Sequence, residues 1–241
     1  MTVHQLLSVC QFLLPITQRT VYETVPRCSV VGNSGSILGS KCGTDVDKAN
    51  FVFRCNAAPI AKYAVDAGYK SNLTTFNPSI LTTRYNKFSR PEGVLRFVRD
   101  MRQYHGIVWA PCFTSSSMEL CLDIMKTYTL KENKFVLGHP DHFLKIQKFW
   151  ESRGHKGKIS SGFFFTTIAL SRCREVHLYG FWPFSKMTDR ALQEVPYHYF
   201  DRLNFTSFNN LRQHNMNSEF SVLLQLHMLG VLRIHVGECH Q

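Results

Sequence analysis

The chain of 241 residues is long enough for one domain with a sizeable core, and its 44% hydrophobic and 13% aromatic content excludes a disordered tail. The formal net charge of +11, from 28 basic and 17 acidic residues, indicates an anionic partner: a nucleic acid, an anionic membrane, or an acidic sugar or nucleotide. Its eight cysteines form no C-x-x-C pair and no Cys/His spacing, which argues against a structural zinc site.

Apolar periodicity predicts helices and strands that alternate along nearly the whole chain. A helix over 3–14 is followed by strands over 28–31, 50–54, 72–76, 107–110, 134–137, 175–179 and 232–236. Further helices are predicted over 57–67, 92–104, 118–129, 141–153, 163–172 and 218–229. This alternation indicates a single-domain, Rossmann-like α/β fold with a mostly parallel, twisted sheet and helices on both faces.

Polar residues follow the predicted strands at the edge of the sheet where α/β proteins bind ligands. The first strand ends in a Gly/Asn/Ser turn over 32–35, whose backbone N–H groups are expected to be bare and able to hold an anion. Asn33 and Asn56 each follow a strand, and Asn77 follows the third. An amide side chain both donates and accepts, so Asn33 and Asn56 can bind a nucleobase or a sugar.

Three more segments have residues that suit a binding or catalytic role, although an ordinary structural role is also open. Ser160, Ser161 and Gly162 open a helix, either as a plain N-cap or as a site for phosphate or carboxylate. Trp182 follows a strand and is either a core residue or a platform for a base or sugar. His214, in a polar loop before a helix, could take a proton from a hydroxyl at neutral pH.

Two familiar ligand patterns are weak in this chain. Asp45-Val46-Asp47 has the D-x-D form of many metal-dependent nucleotide-sugar transferases, but three letters are little evidence for a metal site. Gly32, Gly35 and Gly39 do not fit G-x-G-x-x-G, which disfavours a dinucleotide site.

Four segments, taken together and in order, resemble the sialyl motifs of the eukaryotic sialyltransferases, glycosyltransferase family 29, and most closely the α2,8-sialyltransferase branch. Residues 28–56 are similar to the large motif and residues 160–173 to the small motif. Residues 197–201, Tyr-His-Tyr-Phe-Asp, resemble the third motif, and His214 with Glu219 has the H-x4-E spacing of the very small motif. The resemblance implies a glycosyltransferase A-like variant fold, with a residual stem over 1–25 and a catalytic domain over 26–241.

The resemblance also implies a reaction and a site. Sialic acid would move from CMP-sialic acid to O8 of a terminal sialic acid on a glycoprotein or glycolipid, with inversion and without a metal or other cofactor. The resemblance thus implies that the carboxylates of Asp45 and Asp47 are structural. His214 would be the general base and His198 would assist the leaving phosphate. The residues implied to bind the donor are Asn33, Asn56, Ser160, Ser161, Gly162, Trp182 and Tyr197.

The cysteines and sequons favour the lumen of the secretory pathway, and the family implies the Golgi. The resemblance implies disulfides Cys28–Cys173 and Cys42–Cys239, with Cys55 a buried thiol and Cys10, Cys112 and Cys121 without an assigned partner. Glycosylation sequons begin at Asn72 and Asn204. The apolar run over 6–16 is too short to span a membrane, so we expect a form without the usual anchor.

Two alternatives stay open at this point. One is a catalytically weak sialoglycan-binding relative, because Ser161 stands where the α2,8 branch usually has Thr. The other is a nucleic-acid-binding domain, which is disfavoured because the basic residues are spread out and no recognition helix is evident. The acceptor class and the number of sialic acids added per acceptor are not determined by the sequence.

Overall fold

A computed structural model describes residues 24–127, 133–187, 194–201, 203, 205 and 214–239. The predicted helix over 3–14, Cys10 and the sequon residue Asn204 lie outside these ranges. Seven strands are present: β1 Val25–Val31, β2 Phe51–Arg54, β3 Leu73–Thr75, β4 Gly106–Ala110, β5 Asn133–Leu137, β6 Cys173–Tyr179 and β7 Arg233–His235. Each corresponds to a predicted strand, which confirms the α/β alternation.

Within the described residues, eight α-helices connect or cover these strands. They are α1 Gly43–Asp47, α2 Ala64–Ala67, α3 Ser79–Thr83, α4 Pro91–Met101, α5 Ser115–Thr127, α6 Pro140–Glu151, α7 Ser161–Arg172 and α8 Met216–Met228. The predicted helix over 57–67 is wrong in its first half. Asn56 and Ala57 have positive φ angles of 57° and 43°, and the proline at position 59 disfavours helical backbone at Ala58. Only a 3₁₀ turn at Ala61–Tyr63 and the short α2 form.

All strand pairs are parallel, and the sheet order is β5-β4-β3-β2-β1-β6-β7. From β1 the chain adds strands outward in one direction as far as β5, and it then returns to place β6 on the other side of β1. The order therefore reverses between β1 and β6. In open α/β sheets a crevice forms outside the carboxyl ends of the strands at this reversal, and that crevice is the usual ligand site.

The central strands are buried on both faces, as parallel strands covered by helices must be. Val30 of β1 points into a core shared with Trp150 of α6 and Phe163 of α7. Val31, the next residue, points to the opposite face and packs with Val46 of α1. A third apolar cluster lies at the β3–β4 side, where Phe76 packs against helix α4.

Three disulfides tie the described chain together. Both pairings implied by the resemblance are present: Cys28–Cys173 joins β1 to β6, and Cys42–Cys239 joins the start of α1 to the chain after β7. Cys112–Cys121, between β4 and α5, has no counterpart among the sequence-based expectations. Cys55 is a free, buried thiol, as predicted.

Three other expectations, on the stem, glycosylation and the membrane anchor, can be compared with the structure. Val25, assigned to the stem, is already part of β1 and pairs with Cys173. Glycosylation at Asn72 stays a prediction: its Oδ1 accepts a 2.9 Å hydrogen bond from the Val52 amide and Thr74 is fully buried, so a glycan would have to be attached before the sheet closes. No helix of the described residues is long and apolar enough to cross a membrane.

The disulfides should differ in their effect on stability because they close loops of different length. Cys28–Cys173 spans 145 residues and Cys112–Cys121 spans 9, so loop-closure entropy gives roughly 5 kcal/mol for the first and roughly 2.5 kcal/mol for the second. Cys28, Cys112 and Cys121 are fully buried and Cys173 is half-buried, so the Cys→Ser changes themselves should cost similar amounts in the two double variants. Urea unfolding should show a larger loss for Cys28→Ser/Cys173→Ser than for Cys112→Ser/Cys121→Ser. Equal losses would contradict the loop-length argument.

Candidate active site at the carboxyl edge of the sheet

The strand ends at the reversal point approach each other closely. A Cβ at Gly32, after β1, would lie 2.5 Å from the carbonyl oxygen of Gly180, after β6, so only glycine fits there. The expectation that the turn over 32–35 leaves bare N–H groups is wrong for three of its four amides. Gly32 N donates to Tyr179 O, Ser34 N to Gly180 O and Gly35 N to Pro196 O, at 2.8–3.1 Å. These amides pack the turn against its neighbours and are not available to an anion.

The segment over 194–201 lies against this turn. The carbonyl of Asn33 accepts from the Tyr199 amide at 2.9 Å, and the buried Tyr199 hydroxyl donates to Pro59 O at 2.9 Å. The side chain of Asn33 is half-buried and makes no hydrogen bond to another described residue. The side chain and the backbone amide of Asn33 are therefore the polar groups of this turn that have no hydrogen-bond partner among the described residues.

A hydrogen-bonded chain of polar side chains runs from the end of β2 to the start of α7. The backbone N–H of Asn56 donates to Thr75 Oγ1 at 2.7 Å, and the side-chain Oδ1 of Asn56 accepts from the backbone N–H of Asn77 at 3.2 Å. Asn77 Oδ1 accepts from Ser161 Oγ at 3.5 Å, a long hydrogen bond. Asn56 thus occupies its left-handed backbone conformation because contacts across the sheet fix it, which is typical of functional sites.

The start of α7 rests on a buried carboxylate. Glu219 Oε1 accepts from the Ser160 amide and Oε2 from Ser160 Oγ, both at 2.6 Å, and Glu219 is only 4% exposed. Ser160 Oγ in turn caps α7 by accepting from the Phe163 amide at 3.1 Å. The sequence suggested only that Glu219 favours its own helix dipole; it is in fact the acceptor that holds Ser160. Among the described residues, the Ser161 and Gly162 amides have no hydrogen-bond acceptor.

Phe181 covers this helix start, and sequence reasoning missed it. A Cβ at Gly162 would lie 3.1 Å from the Phe181 ring, and a Cβ at Gly32 would lie equally close to the same ring. The Cys55 sulfur is the third neighbour, at 3.5 Å from that position on Gly162. Phe181 therefore sits between the first strand turn and α7, which places the segment after β6 in the same site as both.

His214 lies beside the connection that leads into α7. Its Nδ1 is 3.0 Å from the Lys158 carbonyl oxygen, and the two residues form an isolated parallel bridge. A carbonyl can only accept, so Nδ1 carries the proton and Nε2 keeps its lone pair in the neutral ring. Burial lowers the pKa of His214 below its ordinary value of 6.5. The imidazole is therefore neutral at pH 7 and able to accept a proton.

A second histidine is oriented by a carboxylate. His198 Nδ1 lies 2.7 Å from Asp201 Oδ2, and the imidazole stacks on the Phe200 ring with centroids 5.0 Å apart. The adjacent Tyr197 ring contacts His198 at 4.7 Å. Burial raises the pKa of Tyr197 to about 12, with smaller contributions from Glu219 and Asp201, so its hydroxyl stays protonated. Asp201 was part of the third-motif match, but sequence analysis gave it no role.

Trp182 is held from three sides. Its indole Nε1 donates to the Lys186 carbonyl at 3.0 Å, and its ring packs edge-on against Phe184 and Phe220, at 5.0 and 5.5 Å. The Trp182 carbonyl accepts from Ser34 Oγ at 2.9 Å, so the residue is linked to the first strand turn. The ring is half-buried, which leaves part of it accessible beside the crevice.

The two carboxylates of the D-x-D sequence have protein donors. Asp45 Oδ2 accepts from the Tyr179 hydroxyl at 2.5 Å and from Arg27 Nη2 at 2.9 Å, while Asp47 accepts from the amides of Tyr69 and Lys70, both at 2.8 Å. These contacts support the structural interpretation. Asp45 also forms the one group of three possible metal ligands found among the described residues, with His177 and His235, all ligand atoms within 4.8 Å of one another. The Arg27 guanidinium already occupies the cation position beside Asp45.

The fold and the site together define a ligand crevice at the sheet reversal of a parallel α/β protein, and comparison gives the family. Residues 1–231 match the family model described as glycosyltransferase family 29 (sialyltransferase), and the chain belongs to that family. It is 34% identical over 238 residues to human alpha-2,8-sialyltransferase 8F and 34% identical over 236 residues to the mouse protein of that name. Each alignment covers 94% of this chain but only 56% of the relative, so the chain spans little more than half their length.

Solved structures share the fold. A mammalian sialyltransferase crystallised with Gal-beta-1-3GalNAc-ortho-nitrophenol superposes with a TM-score of 0.62 at 22% identity, covering 98% of this chain and 80% of that one. A second crystal structure of a mammalian sialyltransferase gives a TM-score of 0.59 at 23% identity. At these identities the likeness concerns the fold alone, and it confirms the Rossmann-like sheet.

The buried carboxylate of Glu219 makes a testable contribution to stability. Burial raises its pKa from 4.5 to about 7, so between these pH values the folded state holds a proton that the unfolded state has released. The contribution of this group to folding is therefore largest below pH 4.5 and is lost as pH rises through about 7. We expect the free energy of unfolding of the wild type, relative to Glu219→Gln, to fall between pH 5 and pH 8.

Urea titrations at the two pH values measure this difference. Glu92→Gln is the matched control, because Glu92 is an exposed carboxylate in the first turn of α4. A wild-type-to-variant difference that does not change with pH would contradict the assigned titration of Glu219.

Proposed function

We propose that this chain is the catalytic part of an α2,8-sialyltransferase, with residues 26–241 as its catalytic domain. It would transfer sialic acid from CMP-sialic acid to O8 of a terminal sialic acid on a glycoprotein or glycolipid, inverting the configuration at the transferred carbon. Family membership and the named relatives support sialyl transfer. The observation that carries the mechanism is that a neutral imidazole and a helix start with two amides lacking acceptors among the described residues adjoin the same short connection, Lys158–Ser160.

The donor would lie at the reversal point between β1 and β6. The amides of Ser161 and Gly162, at the positive end of α7, suit an anionic group of the donor. The open side chain of Asn33 and the hydrogen-bonded Asn56 would contact the nucleotide or the sugar. The accessible part of the Trp182 ring would stack on it, and the protonated Tyr197 hydroxyl would donate to a phosphate oxygen.

In the chemical step, His214 Nε2 takes the proton of the acceptor O8 hydroxyl as that oxygen bonds to the anomeric carbon of the donor. The bond from that carbon to the phosphate oxygen breaks, and the electron pair leaves with cytidine monophosphate. The transition state gains oxocarbenium character, as in other inverting glycosyl reactions. His198, oriented by Asp201, would donate a hydrogen bond or proton to the departing phosphate, which is electrostatic stabilisation of the leaving group.

The remaining parts of the proposal follow the family. The acceptor is a sialylated glycan, no nucleic acid is involved, no metal or other cofactor takes part, and the enzyme works in the Golgi lumen. The alternative is a catalytically weak sialoglycan-binding relative. Donor turnover separates the two, since a pure glycan-binding protein releases no cytidine monophosphate. Mass analysis of products from a panel of sialylated and asialo acceptors tests the linkage and the acceptor class.

His214→Ala should lose roughly 10²- to 10⁴-fold in transfer rate while its affinity for cytidine monophosphate is unchanged, because a general base acts in the chemical step only. Since burial lowers the pKa of His214 below 6.5, the midpoint of the acid-side decline in kcat/KM of the wild type should lie below pH 6.5. His139→Ala, at an exposed histidine before α6, is the control. Near-normal transfer by His214→Ala would remove His214 from the mechanism.

Transfer should persist in excess EDTA. Both carboxylates of the Asp45-Val46-Asp47 sequence already accept hydrogen bonds from protein donors, and Arg27 neutralises Asp45. The rate is measured with and without chelator and after adding back manganese or magnesium. Loss of activity with EDTA that either metal restores would show that a metal takes part.

A further inference from the structure

Arg84 lies near the carboxyl edge of the sheet, next to the proposed site. Arg84 follows helix α3, which itself follows β3, and its side chain is half-buried. Its Nη1 donates to the Ala57 carbonyl at 2.7 Å. Ala57 directly follows Asn56, whose side chain belongs to the chain of hydrogen bonds leading to Ser161. Arg84 is thus held against the end of β2 and points along the edge that carries the site.

Aromatic rings fix the plane of the guanidinium group. Its central carbon lies 5.7 Å from the Phe200 ring centroid and 6.0 Å from that of Tyr85. Phe200 stacks in turn on His198, with centroids 5.0 Å apart and planes 8° from parallel. One ring therefore separates Arg84 from the histidine assigned to the leaving phosphate. A guanidinium braced in this way loses little conformational entropy when it binds a ligand.

The charge of Arg84 has no carboxylate counterpart in the described part of the chain. No ion pair joins it to an aspartate or glutamate there. Asp100, the nearest acidic residue in helix α4, instead binds the Tyr85 hydroxyl and pairs with Arg96 and Arg99. The segment around Arg84 is strongly basic, with Arg84, Lys87, Arg90, Arg96, Arg99 and Arg102 against two acidic residues, Glu92 and Asp100.

We propose that Arg84 binds the carboxylate of the terminal sialic acid of the acceptor. This inference rests on the proposed function, in which donor and acceptor are both anionic sugars. In that function the amides at the start of α7 bind one anion, and a separate group with a fixed position is needed to orient the other anion. The guanidinium fork matches a carboxylate with two parallel hydrogen bonds, and only one of its five N–H donors is needed for Ala57.

The test varies the acceptor and the arginine together. Transfer is measured with an oligosaccharide ending in sialic acid and with the same oligosaccharide whose terminal carboxylate has been converted to the methyl ester. The wild type should show a KM roughly 10- to 100-fold lower for the free acid, as expected for charge-assisted hydrogen bonds to a carboxylate. Arg84→Gln should raise the KM for the free acid by about that factor and accept both substrates alike.

The controls separate binding from folding. Arg99→Gln, at an exposed arginine in the same basic segment, should keep the wild-type preference for the free acid. Arg84→Lys keeps the charge without the fork and should show a reduced preference, so it provides the measurement if Arg84→Gln does not fold. Affinity for cytidine monophosphate and the melting temperature are recorded for each variant.

The outcomes are distinct. If the wild type prefers the free acid and Arg84→Gln keeps that preference, Arg84 does not bind the acceptor carboxylate. If that variant also loses affinity for cytidine monophosphate, the role of Arg84 is only to hold Ala57 in place. If the wild type releases no cytidine monophosphate with either acceptor, the proposed function itself fails, and the inference fails with it.

Discussion

The contact between the first strand turn and the turn after β6 is the constraint on which the rest of the site depends. Gly32 and Gly180 face each other so closely that a side chain on either would strike the backbone of the other, at 2.5 and 2.7 Å. The contact falls where the strand order reverses, so it closes the floor of the crevice with main chain alone. Phe181 then covers Gly162 from above, and the segment over 194–201 locks the turn through Pro196 and Tyr199. The start of α7 and the segment over 194–201, two of the segments with proposed chemistry, are thus held next to these two turns.

That packing decides which groups remain for a ligand. Three of the four amides of the first turn are committed to protein carbonyls, so we assign anion binding to the start of α7. There the Ser160 amide and hydroxyl are committed to Glu219, which leaves the next two amides. An ionised Glu219 would weaken the positive end of α7, but burial shifts its pKa to about 7 and so favours the protonated form more than an exposed carboxylate would. The same burial that positions Ser160 thus limits the opposing charge.

The sequence predicted the strand and helix order because apolar periodicity is local, and it predicted that Asn33, Asn56 and Asn77 follow strands at one edge. It could not predict which amides of the turn over 32–35 are free, since their acceptors at Gly180 and Pro196 are about 150 residues away along the chain. The first half of the predicted helix over 57–67 failed partly for a similar reason, because Thr75 and Asn77 fix the backbone at Asn56 from across the sheet. The proline at position 59, by contrast, was a local signal against that half of the helix. Phe181 and Arg84 belong to no local pattern; only contacts between distant segments single them out.

The position of Arg84 bears on how a strongly basic chain could handle two anionic sugars. Long-range attraction by a net charge of +11 raises the encounter rate, but salt screens it over roughly 8 Å and it orients nothing. Orientation needs charges with fixed geometry. The helix start of α7 supplies one fixed site through neutral amides, and Arg84, held by Ala57 and the Phe200 ring, supplies a second of a different chemical kind. Because Arg84 adjoins Asn56 through Ala57 while the start of α7 adjoins Asn77 through Ser161, two carboxylates of like charge would enter the same crevice without sharing one binding group.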